Sequence, residues 1–414
     1  MKTVSLSREE ARAFLLAQLG LERPLARAKS ERGRGPHVRA SLRRLRCIQL
    51  DPLDPMGTNA DLVAMARLPG LRRGEIYRHV YTEGAAFEHF AKERCLLPSS
   101  AFPHYRARMV QTPWWRLTER TKRVPQALVD EVEAEVRERG PISAKALSDR
   151  GRVKPLDWSG WKGTSKASSM ALEILWTRCR VVVCGRSPEG KLYDVPERAL
   201  GLACEGTTFD GRTSEGPSSK GSTSKGPNSK GDDGFARWGI VERVEAAGLL
   251  AQTSGPTWSM LSDARTSPLP DTLVEEGALE AVRLEGSTRR FFAPAGFVER
   301  TLRGCDDAMR ILGPLDPLLW DRKLVRELFD FDYVWEVYKP EAQRRFAWYV
   351  MPLLHRGALV GRISGRVEGT TLVIDGLWRE ENALDDVALD AALNAHAEAC
   401  GCDTVKRPKR ARRV

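Results

Sequence analysis

Two stretches of this chain carry the same strand–turn–strand signature, and each is entered through a helical pattern. Val181–Cys184 is an apolar run, Ser187-Pro188-Glu189-Gly190 is a turn, and Lys191–Val195 is the return. Later, Ala281–Leu284, the turn Glu285-Gly286-Ser287 and Arg289–Phe292 repeat the design. β-Branched and aromatic runs parted by turn residues predict hairpins. Helices are expected ahead of the first hairpin over Asp130–Arg139, from Ser143, and over Lys166–Arg178, and ahead of the second over Asp271–Glu276. Three helices followed by a hairpin make the winged-helix arrangement, in which one helix can enter the major groove of DNA and the hairpin flanks it. Its recurrence predicts a tandem array.

The expected fold is therefore mainly α with β hairpins (α+β): tandem winged-helix units followed by a small β-rich C-terminal region. Residues 1–125 form the first unit, opened by the capping box Ser7-Arg8-Glu9-Glu10. There a basic connector over Arg23–Pro36 precedes a helix over Val38–Leu45, a short helix is expected over Asp61–Arg67, and the helical pattern continues from Ile76 to Ala91. Residues 126–204 form the second unit and 236–305 the third. Between them, 205–235 is a low-complexity insertion with Ser-Lys-Gly at 219–221, 224–226 and 229–231; almost without apolar residues, it cannot repay its ordering entropy. Residues 306–403 supply a three-stranded meander over Arg345–Leu354, Ala358–Val367 and Thr370–Leu377, closed by a helix over Val387–Cys400. The tail, 404–414, has six basic residues and no acid from Lys406 onwards, and is expected to be a disordered arm.

The charge balance narrows the partner. A formal net charge of +11 over 414 residues suits a polyanion, because bound lysine and arginine release condensed counterions. The first fifty residues alone carry twelve Lys/Arg against four Glu. Double-stranded DNA is the expected partner, bound by a monomer. The N-terminus lacks an apolar signal region and no apolar run approaches the roughly 20 residues of a membrane span, so no membrane contact and a cytoplasmic, nucleoid-associated protein are expected. His396, Cys400 and Cys402 lack paired C-x-x-C spacing, and no metal is expected. No phosphate-binding loop, H-E-x-x-H or G-x-S-x-G is present; neither a nucleotide nor any other cofactor is expected.

The stretch with chemistry in it is Arg46-Cys47-Ile48-Gln49-Leu50-Asp51-Pro52-Leu53-Asp54-Pro55. Prolines push Asp51 and Asp54 towards extended backbone. An extended Cys47–Asp51 sets Gln49 and Asp51 on one face. Such an amide and carboxylate can hold and polarise a water beside the cations Arg39, Arg43, Arg44 and Arg46, which suits hydrolysis on an anionic polymer. Equally, the pair can cap a surface turn. Pro103–Arg123 mixes Tyr105, Trp114 and Trp115 with arginines, a pattern that stacks on bases or packs as an amphipathic helix.

Several segments together resemble the YcaQ/AlkZ family of winged-helix DNA glycosylases, as a divergent member of the crosslink-repair type. They are Cys47-Ile48-Gln49-Leu50-Asp51, Ala86-Phe87-Glu88-His89-Phe90 with Leu96-Leu97-Pro98, Trp158-Ser159-Gly160-Trp161-Lys162 and Leu192–Arg198. The most specific is Leu315-Asp316-Pro317-Leu318-Leu319-Trp320-Asp321-Arg322, continuing through Glu336-Val337-Tyr338-Lys339-Pro340 and Arg344-Arg345 to Leu359-Val360-Gly361-Arg362. The resemblance implies a monofunctional glycosylase that hydrolyses the N-glycosidic bond of alkylated, bulky or crosslinked bases, leaving an abasic site. It puts Gln49 and Asp51 on the catalytic motif in its aspartate form, with Asp51 stabilising charge at the sugar and Gln49 orienting the water by donating and accepting at once. Trp158, Trp161, Lys162, Arg289, Arg290, Arg344 and Arg345 join the arginines before the motif as candidates for gripping DNA. The chain departs from the family pattern at Thr58-Asn59-Ala60-Asp61, where a histidine pair is common, at Lys92, where histidine is common, and at Ser364, where aspartate is common. A non-catalytic winged-helix regulator, or a hydrolase of other modified bases, would share the basic surfaces.

Overall fold

The computed structural model describes residues 3–24, 31–108, 115–156, 163–202, 230–380 and 384–414. The chain divides into two compact units, one made of 1–102 with 237–414 and the other of 103–236. The sequence boundary at 125/126 is thus displaced, and the first and third expected segments share one body.

The larger unit begins with β1 (Thr3–Leu6) and α1 (Arg8–Gln18). Ser7 and Glu10 cap α1 reciprocally, as their spacing requires, and Ala11, Phe14 and Leu15 are buried on one face. Helix α2 (Glu31–Leu45) leads to the short β2 (Ile48–Gln49), then α3 (Asn59–Met65) and α4 (Glu75–Tyr81). Pro36, expected in a connector, lies inside α2. A hairpin follows, β3 (Ala86–Phe90) and β4 (Arg94–Pro98), and the three strands order as β2-β4-β3. The expected helix over Ile76–Ala91 is therefore only half right: Gly84, at φ +58°, reverses the chain after α4, and Ala86–Leu97 pairs as strands that bury Phe87, Cys95, Leu96 and Leu97.

The smaller unit contains α5 (Phe102–Arg108), α6 (Trp115–Thr121), α7 (Gln126–Arg139), β5 (Ile142–Ser143), β6 (Arg152–Val153), β7 (Ser165–Lys166), α8 (Ala167–Thr177), β8 (Val182–Ser187), β9 (Gly190–Asp194) and α9 (Pro196–Ala199). Ser143 does not open a helix; with Ile142 it pairs to β9, giving the order β5-β9-β8. The expected aromatic–cation cluster over Pro103–Arg123 is only partly placed, since Trp114 lies outside the described residues.

Helix α10 (Lys230–Ala247) returns the chain to the larger unit, so the edge of the insertion lies earlier than 235. Then come β10 (Leu250–Ala251), α11 (Ser262–Arg265), α12 (Leu269–Glu275), β11 (Leu279–Leu284) and β12 (Arg290–Pro294). Their sheet, β1-β11-β12-β10, takes the N-terminal strand in parallel, with Thr3 opposite Ala281 and Leu6 opposite Leu284. Two segments of this unit thus share one order of helix, strand, two helices and hairpin, whereas the smaller unit has the β6–β7 pair and a single helix, α8, between β5 and its hairpin.

The C-terminal region holds β13 (Arg310–Ile311), α13 (Arg322–Phe329), β14 (Met351–His355), β15 (Ala358–Glu368), β16 (Thr371–Arg379), α14 (Asp386–Ala399), β17 (Thr404–Lys406) and β18 (Arg412–Arg413). The meander is present, but the sheet has six strands. Helix α14 is the crossover that lets β17 lie parallel to β16. The tail is consequently no free arm: β18 also pairs with β16, and Arg407 reaches Asp386 and Asp390 on α14. One face of this sheet packs with Met56, Leu62 and the buried face of α14 into a single apolar core.

The two ends of the larger unit are clasped by a buried ion pair. Arg67 donates to both carboxylate oxygens of Asp316 at 2.7 and 3.0 Å, and to the carbonyls of Leu19 and Val63; the two side chains are 1% and 0% exposed. Removing one partner strands the other in a dry environment. Arg67→Ala is expected to lower unfolding free energy by about 3–5 kcal/mol, measured by denaturant titration. A loss below about 1 kcal/mol, the range of an exposed pair, would contradict this reading.

Candidate active site

Strand β2 is short, but it is held on every side. Ile48 and Gln49 pair with Leu96 and Cys95 of β4, and Leu50 N donates to the Arg94 carbonyl at 2.8 Å. From behind, the Asn59 amide donates to the Gln49 carbonyl at 2.8 Å, while its own oxygen accepts from Leu315 N at 3.0 Å. Asn59 is fully buried. Thr58 and Asp61 form a capping box on α3, and Asp61 also accepts from Gly74 N at 2.7 Å. The segment that departs from the family's histidine pair is therefore occupied with holding the strand and the helix behind it.

Asp51 follows at the end of the strand, half-buried. Its Oδ1 accepts from Leu53 N at 2.9 Å, so the turn-capping reading is physically true. Its second oxygen accepts nothing among the described residues and remains able to take a proton. Burial pushes the carboxyl above its ordinary value, partly offset by the Leu53 hydrogen bond. Gln49 is buried, and its Oε1 accepts from Lys92 Nζ at 3.1 Å. The expectation that Gln49 donates and accepts at once meets a constraint here, because one lone pair of its oxygen is already used by Lys92. No hydrogen bond joins Gln49 to Asp51 among the described residues.

Two tyrosines were given no role by sequence reasoning, one of them close enough to Asp51 to feel its charge. Tyr349 is 1% exposed, and its hydroxyl finds no hydrogen-bond partner among the described residues. Burial raises its pKa, and the Asp51 carboxylate is the largest charge acting in the same direction. Tyr338, by contrast, is 86% exposed and meets Trp335 edge-on. The aromatic density of Trp335–Tyr338 and Phe346–Tyr349 around Arg344-Arg345 was the available signal.

The proposed DNA contacts fare unevenly. Arg43 is exposed and makes no hydrogen bond or ion pair among the described residues; Arg345 is exposed and stacks 5.0 Å from Phe346. Arg344 donates to the Lys339 carbonyl. Arg290 pairs with Asp271 at 2.6 Å and lies over Phe292. Arg39 pairs with Glu83 and Arg46 with Glu242. Arg44 donates to the Ala17 and Gln18 carbonyls at the end of α1, so it is a capping group rather than a free cation. Arg289 is withdrawn as a DNA contact: its guanidinium, 10% exposed, is held by Asp321 and Glu327. Trp158, Trp161 and Lys162 lie outside the described residues. Ser364 is buried in β15. Among the described residues, no cluster of His, Cys, Asp or Glu is arranged to hold a metal, and no helix is long and apolar enough to cross a membrane.

The raised Asp51 pKa has a stability consequence. Any stabilisation from this group is complete below the unfolded-chain pKa of about 3.9 and is lost as pH rises through the higher folded value. At neutral pH the ionised, half-desolvated carboxylate opposes folding. Asp51→Asn keeps the acceptor for Leu53 N without the charge, so its melting temperature should equal or exceed wild type at neutral pH, with the gain vanishing in acid. A melting temperature depressed at neutral pH and restored in acid would contradict this.

Comparison with known proteins bears on the fold and the family. The solved structure of the Streptomyces sahachiroi DNA glycosylase AlkZ is similar to this fold, with a TM-score of 0.57 and 17% identity, covering 99% of this chain and 100% of that one. Residues 42–401 match the family described as DNA glycosylase AlkZ-like, a span that runs from within α2 past the end of α14. The chain belongs to the AlkZ-like DNA glycosylase family.

Proposed function

We propose that this chain is a monofunctional DNA glycosylase, hydrolysing the N-glycosidic bond of alkylated bases, bulky or crosslinked, in duplex DNA and leaving an abasic site. The observation that carries the reading is the half-buried Asp51, with one carboxylate oxygen tied to Leu53 N and the other uncommitted beside Gln49. A base alkylated on a ring nitrogen leaves as a neutral group once the C1′–N bond breaks and its electron pair passes to the ring. The barrier then lies at C1′, which becomes oxocarbenium-like. Asp51 offsets that charge and takes the proton from the water whose oxygen bonds to C1′. Raising its pKa improves it as a base for that proton.

The helix–strand–helix–hairpin segments fit tandem winged-helix units, and the net charge of +11 suits a phosphate backbone. Arg43 and Arg345 would touch phosphates, and the exposed Tyr338 ring would stack on a displaced or adducted base. A purely regulatory DNA-binding protein has no use for a carboxylate kept half-desolvated within a cationic protein.

The test is incubation with duplexes carrying a panel of ring-nitrogen adducts and one interstrand crosslink, with abasic sites read by alkaline cleavage and released bases by mass spectrometry. Base release from at least one lesion is expected, with affinity for undamaged duplex falling steeply as salt rises. Binding without release across the whole panel would favour the regulator.

A further inference from the structure

We propose that Lys92 is a positioning residue: it fixes the orientation of the Gln49 side-chain amide so that the NH2 end faces away from the ammonium and donates to the attacking water, leaving Asp51 as the acceptor. This rests on the glycosylase reading and specifies the proton path within it.

Lys92 sits in the turn of the β3–β4 hairpin, which closes with Ala91 N donating to the Glu93 carbonyl at 2.8 Å. From there its side chain reaches the neighbouring strand, and Nζ lies 3.1 Å from Gln49 Oε1. Both side chains are nearly shut off from solvent, at 9% and 8% exposure. Nζ also lies 5.5 Å from the centre of the Trp320 ring, which is itself fixed by Nε1 donating to the Leu315 carbonyl at 3.1 Å. An ammonium has three donors and no acceptor, whereas the two ends of an amide differ. Turning Gln49 over would set its NH2 against the ammonium and leave a buried charge without its carbonyl partner. Burying the ammonium lowers its pKa, which Cys95, Glu93 and Cys47 oppose and Arg243 assists; the Gln49 carbonyl and the Trp320 face offset the cost.

The consequence is a division of labour. With Oε1 turned to the ammonium, Gln49 presents its N–H donors to the water, which hold it through its lone pair and turn its protons away. The proton then goes to another acceptor, and the uncommitted oxygen of Asp51 is two residues further along the chain, just past the end of β2. Lys92 touches neither water nor sugar in this scheme and acts through Gln49.

The test is a double-mutant cycle on a lesion that the native chain releases. Single-turnover excision and affinity for unmodified duplex are measured for wild type, Lys92→Met, Lys92→Arg, Gln49→Ala and the Gln49→Ala/Lys92→Met double variant. Lys92→Met should slow the chemical step by about 10- to 100-fold, the scale of a misplaced reacting group, with duplex affinity unchanged. Lys92→Arg, which keeps a donor, should recover most of the rate. In the Gln49→Ala background Lys92→Met should cost nothing further, because its target is gone. Methionine has similar length and removes a buried charge, so folding should be preserved. Should that variant fail to fold, Lys92→Gln enters the same cycle, with a smaller loss that again disappears with Gln49→Ala. Multiplicative losses, or a wild-type rate for Lys92→Met, would overturn the assignment while leaving the glycosylase reading intact. Absence of release by the native chain from every lesion would overturn both.

Discussion

The Asn59 side chain is the hinge pin of the site. One buried amide holds the Gln49 carbonyl on one side and Leu315 N on the other, the second contact spanning 256 positions in sequence. The approach is so close that a Cβ on Gly313 would fall 2.6 Å from Asn59 Oδ1, so only glycine fits there. Leu315 is followed by Asp316, the buried partner of Arg67, and by Trp320, whose ring lies by Lys92. A single side chain thereby fixes the strand that ends at Gln49, two residues before Asp51, against the loop that shapes Lys92's surroundings. Buried amides with both ends satisfied specify geometry in this way because a half-satisfied alternative costs more than the bond contributes.

Around that anchor the site is graded from dry to wet. The ammonium and amide sit in the dry part, where the hydrogen bond between them is strong and its direction is dictated by chemistry. Asp51 lies further out, half-buried, so its carboxylate keeps its charge but loses part of its hydration. Tyr349 adds an unpaired buried hydroxyl nearby, and its titration is opposed by Asp51. Poorly compensated polar groups at one place are what a stability-driven core excludes and a catalytic surface retains.

Much of the scaffold was legible locally. The capping box at Ser7, the hairpins at 182–194 and 279–294 and the meander from 351 each follow from residue types a few positions apart. The extended backbone at Gln49 and the capping of a turn by Asp51 were also both among the readings of that stretch. The strand at 86–90 was misread because Phe87 and Phe90 continue the helical spacing of Ile76 and Val80, and only the turn at Gly84 separates the cases. The arginines were least legible. Arg43 and Arg289 look alike in sequence, yet one is exposed and the other is closed between Asp321 and Glu327. The acids that decide this lie on α13 and just ahead of it, beyond any local pattern. For the same reason Lys92 was visible as a departure from the family, but its hold on Gln49 needed the hairpin to fold back over β2.

The claim at the centre of this account is that the Asp51 charge works in the chemical step. It is tested most directly by single-turnover excision from an alkylated duplex with Asp51→Asn, alongside binding of the same variant to unmodified duplex. The predicted result is a rate lowered about 10²- to 10³-fold, the effect of one well-placed electrostatic group, with duplex affinity unchanged or slightly tighter. Excision by Asp51→Asn at the wild-type rate would contradict it and leave Asp51 as nothing more than the cap on Leu53.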